Sequence, residues 1–321
     1  MSSVPRVSWE TAATTAVRLV PPGPTLPVTE AAAVVAGLRE ASERAQAYVR
    51  DLTRMDPPGE RPTLVVDRAS WIRGNLDSFA GVLDDLHRPA TGRLATSALG
   101  RGVRAVRDGS TGAMVGGVLA VLAPRVLGQF DVFHGLGGST DHGRLLLVAP
   151  NIHGIGHKLG LDPADFRLWV CLHEETHRVQ YQRAPWLADH LAGLVRTAMS
   201  GSDREVDAAT DGITAVMSVV EGHADVVMDQ VGPGVIPTLR SIRARFDKRR
   251  EGRPGLARII GKLLGMESKM QQYREGAAFC RAVQAEIGVD GFNRVFEAPG
   301  ELPDLHELRH PHAWVERTGL S

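Results

Sequence analysis

One segment of the sequence has residue types and a spacing that could bind a metal ion. Residues 173–177 read His-Glu-Glu-Thr-His, and the apolar residues that flank them predict a largely buried helix. At 3.6 residues per turn, His173 and His177 lie about 40° apart and one turn from each other. Both imidazoles can therefore reach one ion, and a metal held by histidines acidifies its bound water.

Glu174 lies between these histidines and is directed beside the predicted metal position. A carboxylate there can hold a water molecule and take its proton, so Glu174 is the predicted general base. The alternative is that His173 and His177 are hydrogen-bonded core residues without a metal. Burying unpaired polar groups costs roughly 1–3 kcal/mol each, and this cost favours a bound ion.

A catalytic zinc site usually takes a third protein ligand from elsewhere in the chain. Residues 213–228 have a helical apolar face, and Glu221 lies on that face. A carboxylate directed into a core needs a counter-charge, so Glu221 is the predicted third ligand. Asp225, one turn further on, is predicted to accept the second ring N–H of a ligating histidine.

The two motifs together read HExxH followed by ExxxD, and in this respect the sequence resembles the zincin metallopeptidases of the glutamate-ligand type. In those enzymes the Glu of the second motif is the third zinc ligand and its Asp supports a ligating histidine. The resemblance implies these roles for Glu221 and Asp225. The interval of 44 residues between His177 and Glu221 is longer than in the best-known members and leaves room for an extra helix.

Several longer segments resemble a narrower family of zincin-like, zinc-dependent hydrolases that gene context associates with deazaflavin-coenzyme biosynthesis. The segments are LLLVAPNI (145–152), DPADFRLWVCLHEETHRVQ (162–180), APWLADHL (184–191), SVVEGHADVVMD (218–229) and QYREGAAF (272–279). The physiological substrate of that family is not established. The resemblance extends from about residue 60 onward and implies a mainly helical metallohydrolase fold with Zn²⁺ as its metal.

Two further features relate to substrate binding. Tyr181 lies one turn beyond His177, and Tyr273 lies in the family-like QYREG segment, so either hydroxyl could donate to the transition state. A packed ring with a solvated hydroxyl is the alternative for each. Zincins bind extended peptide along an edge strand, and we assign this role, as a hypothesis, to the strand predicted at Leu145–Val148. An ordinary buried strand is the simpler interpretation.

Other histidines are interpreted as structural. His153 and His157 share the i, i+4 spacing, but the two glycines between them disfavour a rigid helix, so we interpret them as surface or loop residues. His223 lies about 200° round the helix from Glu221 and is predicted to point away from the metal.

Two other groups of polar residues also have structural interpretations. Asp207 and Asp211 form an alternative carboxylate pair, but acids near a helix start favour the helix dipole. The His310-Pro-His312 segment is predicted to be a loop.

The fold class predicted from these patterns is mainly α with a small β element around a zincin-like metallohydrolase core. The helical patterns cover residues 29–55, 66–87, 108–125, 163–183, 187–200, 203–230, 235–250 and 255–287. We divide the chain into an N-terminal tail (1–28), an N-terminal helical region (29–143) and a zincin-like catalytic region (144–321). The second and third regions are predicted to pack together as one unit.

Composition excludes several classes of function. The chain has 321 residues with 37 basic and 37 acidic side chains, so it lacks an overall basic field for nucleic acid or an anionic membrane. A local basic segment, Arg240–Arg253, could bind an anionic partner, although a solvated helix end is the simpler interpretation. The longest uncharged stretch is too short to span a membrane. The N-terminus does not resemble a signal peptide, so we expect a cytoplasmic location.

The sequence therefore predicts a zinc-dependent hydrolase, most simply a metallopeptidase that cleaves a peptide or related amide bond. No nucleic-acid or membrane partner is expected. The alternative is a non-catalytic binding or scaffold protein with a vestigial zincin site. A structural metal site would be closed by four protein ligands, whereas a catalytic one keeps a position open.

Overall fold

The computed structural model describes residues 7–56, 63–86, 98–135, 143–252 and 273–320. Within these ranges the helices are α1 (Trp9–Leu19), α2 (Val28–Thr53), α3 (Arg68–Leu86), α4 (Ala98–Leu122), α5 (Ala149–Lys158), α6 (Pro163–Arg183), α7 (Trp186–Ser200), α8 (Asp203–Gln230), α9 (Leu239–Gly252), α10 (Tyr273–Phe292) and α11 (Pro311–Thr318). The strands are β1 (Thr63–Val66), β2 (Gly128–Asp131) and β3 (Arg144–Val148). The predicted fold class, mainly α with a small β element, is confirmed.

Helix α6 contains the HExxH segment and has well-defined ends. The Asp162 carboxylate accepts hydrogen bonds from the backbone N–H groups of Ala164 and Asp165, at 3.0 and 2.9 Å. Pro163 occupies the first helical position, where its missing N–H costs nothing. The helix contacts α2, α5, α8, β2 and β3. These neighbours bury it on nearly all sides, so its polar residues lie among protein groups.

A buried ion pair connects α6 to the N-terminal part of the chain. The Arg178 guanidinium donates to the Glu175 carboxylate at 2.9 Å and to the Thr63 hydroxyl at 2.5 Å. The Ser42 hydroxyl, on α2, donates to the same carboxylate at 2.5 Å. Glu175, the second Glu of the HEETH segment, is therefore a structural residue that holds α6 against α2 and β1.

Helix α8 lies across α6 and carries the ExxxD motif. Its first turn is stabilised by a capping box, in which the Glu205 carboxylate accepts a hydrogen bond from the Ser202 backbone N–H at 2.8 Å. The buried valines of α8 contribute to the same apolar core as α6 and α10. This packing sets where Glu221 meets the histidines of α6.

Glycines permit a very close approach between α8 and α10. A Cβ added at Gly276 would overlap the backbone carbonyl of Ser218, and one added at Gly222 would overlap the backbone of Gly276. Because backbone atoms cannot move aside as flexible side chains do, only glycine fits at these two positions. The crossing distance of the two helices therefore depends on them.

Replacing Gly276 with alanine is expected to lower the free energy of unfolding by roughly 1–3 kcal/mol or more, since the helices must separate to admit the methyl group. Urea unfolding of wild type and variant measures the change. Gly117→Ala is the matched control, because a Cβ at Gly117 of α4 meets no atom within 4 Å and alanine favours a helix by about 1 kcal/mol. Equal stability of Gly276→Ala and wild type would contradict the proposed close packing.

The three strands form one sheet in the order β1, β3, β2. Strand β1 runs parallel to β3, with Thr63 opposite Leu145, and β2 runs antiparallel to it, with Gly128 opposite Leu147. Both edges of β3 are thus already paired, so the hypothesis that Leu145–Val148 binds an added peptide strand is wrong. Strand β2 is an edge strand of this sheet instead.

The sheet separates two apolar cores. Leu147 points into the larger core, which contains buried residues of α2, α6, α8 and α10. Leu146 and Val148 point to the opposite face, into a smaller core with α1, α3 and α4. This alternation is the one expected for a strand that is buried on both faces. The larger core contains residues from both of the packed regions predicted above, while the division into regions stays a prediction.

Some elements differ from the expectations. Residues 9–19 of the predicted tail form helix α1. Strands β1 and β2 were not expected, because each has only four residues. The pairing partner of β1 is also distant in sequence. The HGIGH segment lies in helix α5, since one turn of α5 is packed against α6 and this packing offsets the cost of its glycines.

The C-terminal expectations also need revision. His310 precedes helix α11, and His312 lies in that helix, where its Nδ1 is 2.7 Å from a Glu286 carboxylate oxygen of α10. The predicted loop is therefore wrong here. Of the helix predicted at 255–287, residues 255–272 lie outside the described part of the chain. Among the described residues, no helix combines the length and apolarity needed to cross a membrane.

Candidate metal centre

The structure brings together the three side chains that the sequence analysis proposed as ligands. The Nε2 atoms of His173 and His177 are 3.2 Å apart. One carboxylate oxygen of Glu221 lies 3.5 Å from Nε2 of His173, and the other lies 3.8 Å from Nε2 of His177. These ligand atoms all lie within 4.8 Å of one another. Two segments separated by 44 residues thus meet at one point.

The spacing of these atoms suits a zinc ion. A tetrahedral ion with Zn–N bonds of about 2.0–2.1 Å holds its nitrogen ligands about 3.3 Å apart, close to the observed separation of the two imidazoles. Two neutral nitrogens and one carboxylate oxygen are also the donor types that zinc accepts. The side chains of His173 and Glu221 are 23% and 33% exposed, so solvent reaches this side of the cluster. Among the described residues, no fourth His, Cys, Asp or Glu joins it.

Gln180 determines which nitrogen of His177 is available. The Gln180 amide group donates to the backbone carbonyl of Val220 at 2.9 Å, and this contact fixes which end of the side chain is oxygen. That oxygen lies 2.9 Å from Nδ1 of His177. It can only accept, so Nδ1 carries the proton and Nε2 presents a lone pair to the cluster.

The Asp225 carboxylate is bonded to an arginine of a neighbouring helix. The Arg243 guanidinium of α9 donates to its carboxylate at 3.2 Å, and Arg243 is also 2.7 Å from Asp229. The Asp225 carboxylate thus forms an ion pair with an arginine. That Asp225 also accepts the ring N–H of a ligating histidine stays a prediction, since this side of α8 faces Arg243 of α9. Gln180 makes such a contact to His177.

Glu174 is buried beside the cluster, against strand β2. A Cβ added at Gly128 would lie 2.6 Å from Cγ and 2.8 Å from Oε1 of Glu174, so this carboxylate occupies the space that the missing side chain leaves. Burial raises the pKa of Glu174 well above its ordinary value, and the negative charges of Glu221 and Glu175 raise it further. A carboxyl with a raised pKa is a stronger base once it is ionised.

Of the two candidate tyrosines, Tyr181 lies near the cluster. Its ring stacks on Phe130 of β2, with centroids 5.7 Å apart. Burial raises its pKa, and the negative charge of Glu221 raises it further, so the hydroxyl stays protonated and can donate. Tyr273 begins α10, but its side chain lies outside what the structure describes.

His223 is fully buried and is not one of the three converging ligands. Its Nδ1 lies 3.1 Å from the amide nitrogen of Gln180. Its ring packs against Phe292 and Phe296, with centroid distances of 4.8 and 5.7 Å. Burial lowers the pKa of His223 to about 3, and repulsion from His177 when that ring is protonated acts in the same direction. His223 is therefore neutral near pH 7.

The alternative clusters do not form comparable sites among the described residues. His153 and His157 stack on α5 with centroids 6.3 Å apart, and no acidic residue joins them in a metal-binding group. Asp207 is exposed near the start of α8. Each of these groups is consistent with the structural interpretation.

Part of the basic segment is neutralised within the chain. Besides its contacts with Asp225 and Asp229, Arg243 lies over the Trp169 ring at 5.9 Å. Arg245 donates to the backbone carbonyls of Leu159 and Gly160. Residues 247–252 have no described side chains, and Arg253 lies outside the described residues.

Sequence reasoning missed Gly128 and Gln180, and it interpreted His223 only as a structural residue that points away from the metal. Gln180 could have been found, because it lies three residues after His177 and therefore on the same helical face. Gly128 and His223 carry no such signal. Their roles depend on contacts with distant segments, which periodicity does not report.

Comparisons with known proteins agree with this geometry. A sequence model of the family described as zincin-like metallopeptidase matches residues 7–210 and 198–315. A crystal structure from Chloroflexus aurantiacus, described as a proposed hydrolase with a novel fold, is similar to this chain with a TM-score of 0.74 and 29% sequence identity. The match covers 98% of this chain and 99% of that chain. A comparison with curated proteins finds no match.

Proposed function

Because the chain belongs to the zincin-like metallopeptidase family, we propose that it is a zinc-dependent hydrolase that cleaves a peptide or a related amide bond. The observation that carries this proposal is the convergence of His173, His177 and Glu221, with ligand atoms within 4.8 Å of one another. Glu174 is buried next to this cluster. The arrangement thus combines three ligands with a neighbouring carboxylate base.

The proposed mechanism assigns a role to each residue of the site. His173, His177 and Glu221 would hold the zinc ion, which would supply Lewis-acid chemistry for acidifying water and polarising a carbonyl. Ionised Glu174 accepts the proton of the attacking water at its carboxylate and delivers that proton to the leaving amine. The Tyr181 hydroxyl donates a hydrogen bond to the oxygen on which negative charge develops.

The position of strand β2 favours the proposal that the substrate is peptide-like. This strand is an edge of the described sheet, and Gly128 places its backbone directly against Glu174. An extended peptide that pairs with such an edge receives main-chain hydrogen bonds along its length. Pairing with β2 would bring the peptide past the general base, so we propose this strand, in place of β3, as the binding edge.

Replacing Gly128 with alanine is expected to lower kcat for amide hydrolysis by roughly 10²-fold, since the new methyl group displaces the Glu174 carboxylate and misplacement of a reacting group by about 1 Å has an effect of this size. Zinc content should stay unchanged. Steady-state kinetics and metal analysis of purified protein measure both quantities. Gly300→Ala is the control, because a Cβ at Gly300 meets no atom within 4 Å. Unchanged kcat in Gly128→Ala would contradict this role.

The overall proposal is tested by metal analysis and a substrate screen. Purified protein should contain about one zinc per chain, lose it to a chelator and regain it on addition of Zn²⁺. Hydrolysis of a peptide and amide panel should follow the zinc content. The panel includes deazaflavin coenzymes, because the sequence resemblance associates the family with their biosynthesis. Protein that takes up no zinc would contradict the proposal.

The scaffold alternative makes a different prediction about the metal. A structural site needs four protein ligands, whereas the described residues supply three. Loss of zinc would then unfold the protein rather than only inactivate it. We also propose a cytoplasmic location, since Cys171 and Cys280 are free, buried thiols and such thiols suit a reducing compartment.

A further inference from the structure

A chain of buried hydrogen bonds leads away from the proposed ligand His177. Its Nδ1 faces the Gln180 side-chain oxygen at 2.9 Å. The Gln180 amide nitrogen is bonded to the Val220 carbonyl at 2.9 Å and to Nδ1 of His223 at 3.1 Å. Both amide protons and the amide oxygen of Gln180 therefore have partners, and Gln180 is completely buried.

In this series of hydrogen bonds, the donor or acceptor role of each group follows from the role of the group before it. A carbonyl oxygen can only accept, so the Val220 contact identifies the Gln180 nitrogen as the donor. Nδ1 of His223 must then accept the second amide proton, and the proton of the His223 ring resides on Nε2. That Nε2 has no hydrogen-bond partner among the described residues.

The unpartnered Nε2 of His223 is a cost that a leucine at this position would avoid. Leaving a buried polar group unpaired costs roughly 1–3 kcal/mol. Phe292 and Phe296 hold the ring in place without offering a partner for Nε2. The polar contact that His223 does make is the one to Gln180. The hydrogen bond to Gln180 therefore explains why a histidine, rather than an apolar residue, occupies position 223.

We infer that Gln180 and His223 are positioning residues that hold His177 as its Nδ1–H tautomer, with Nε2 aimed at the metal position. This inference rests on the proposed function for its effect on zinc, but the tautomer itself is a property of the metal-free chain. The partner of a ligating histidine is ordinarily a carboxylate, a backbone carbonyl or water. Here a neutral amide, itself oriented by a second histidine, makes this contact.

Gln180→Met is the first test, because methionine keeps the length of the side chain and removes its polar atoms. We expect its zinc dissociation constant, measured by competition with a chromophoric chelator, to rise about 10–100-fold. Gln182→Met is the matched control. Gln182 lies on the same helix and is buried, and its amide makes no hydrogen bond among the described residues. Zinc affinity of Gln182→Met should equal that of wild type.

His223 is tested by a disruptive and a conservative variant. His223→Leu removes the acceptor for one amide proton and should weaken zinc binding roughly fivefold, the effect of losing one hydrogen bond. In His223→Asn, the side-chain oxygen can take the place of Nδ1 and should restore affinity to near that of wild type. Circular dichroism and thermal unfolding establish that each variant is folded.

Nitrogen-15 NMR of the metal-free chain measures the tautomer directly. The His177 signal, assigned by its absence in His177→Asn, should show the Nδ1–H form in wild type and Gln182→Met and a loss of that form in Gln180→Met. A Gln180→Met chain that keeps the Nδ1–H form, or that binds zinc as tightly as wild type does, would overturn the inference. Equal losses in Gln180→Met and Gln182→Met would also overturn it, because the effect would then be one of packing.

The two proposals fail in different ways. If wild-type protein takes up no zinc, the proposed function is wrong, and the NMR comparison alone decides the inference. If wild type binds zinc and hydrolyses an amide while Gln180→Met matches it in affinity, the proposed function stands and the inference is wrong.

Discussion

Replacing Glu174 with glutamine is expected to lower kcat/KM for amide hydrolysis about 10²–10⁴-fold, the usual contribution of a positioned general base. Glutamine has nearly the same shape as glutamate, so the space beside Gly128 stays filled. It has no basic carboxylate, so the proton of the attacking water has no acceptor. Steady-state kinetics on zinc-loaded wild type and Glu174→Gln measure the loss.

Two further measurements on Glu174→Gln separate catalysis from folding. Zinc content should equal that of wild type, because Glu174 is not one of the converging ligands. Thermal stability should be equal or higher, because burial and the charges of Glu221 and Glu175 disfavour an ionised group at this position. Activity equal to that of wild type would remove Glu174 from the mechanism.

Removing a ligand is expected to abolish zinc binding and, with it, activity. His177→Ala leaves two ligand side chains, and Glu221→Gln keeps the volume of the third but removes its charge. Loss of a residue that only supports a ligand raises the zinc dissociation constant about 10–100-fold. Each of these two ligand variants should raise it by more than that. Chelator competition and metal analysis after dialysis measure this change, and the conservative Glu221→Gln guards against loss of folding as the explanation.

Another histidine pair with i, i+4 spacing, His153 and His157, provides a control for these variants. His157→Ala on α5 removes a histidine with the same i, i+4 spacing from a pair that has no acidic third member in the described residues. Its zinc content and activity should match those of wild type. Retention of full zinc content by both His177→Ala and Glu221→Gln would show that the metal binds elsewhere.

The local part of the site could be predicted because it depends on helix geometry alone. His173 and His177 lie one turn apart on any helix that contains them, and the capping residues Asp162 and Ser202 make those helices begin where they do. The apolar face around Glu221 identified a third ligand candidate for the same reason. Helical periodicity acts over a few residues and can therefore be read from neighbours.

Predictions that required one face of a helix to meet a particular neighbour depend on packing that the sequence does not report. Asp225 lies four residues after Glu221 and was predicted to support a histidine, but its carboxylate contacts Arg243 of α9. Tyr181 was predicted from the same face as His177; the negative charge of Glu221 raises its pKa, and its role as a donor stays a prediction. The difference is that Tyr181 continues the α6 face that carries the ligands, whereas Asp225 depends on which helix packs beside α8.

The sequence by itself determined that this protein is mainly helical, that His173 and His177 can share an ion, and that Glu174 lies beside them. Tertiary structure alone decided that β3 is a central strand, that Gly128 borders Glu174, and that His223 reaches His177 through Gln180. The physical reason is the sequence separation of the residues that interact. Hydrogen bonding and periodicity within a helix act between near neighbours in the chain. Strand pairing and the burial of a glycine or histidine depend instead on segments that are brought together only when the chain folds.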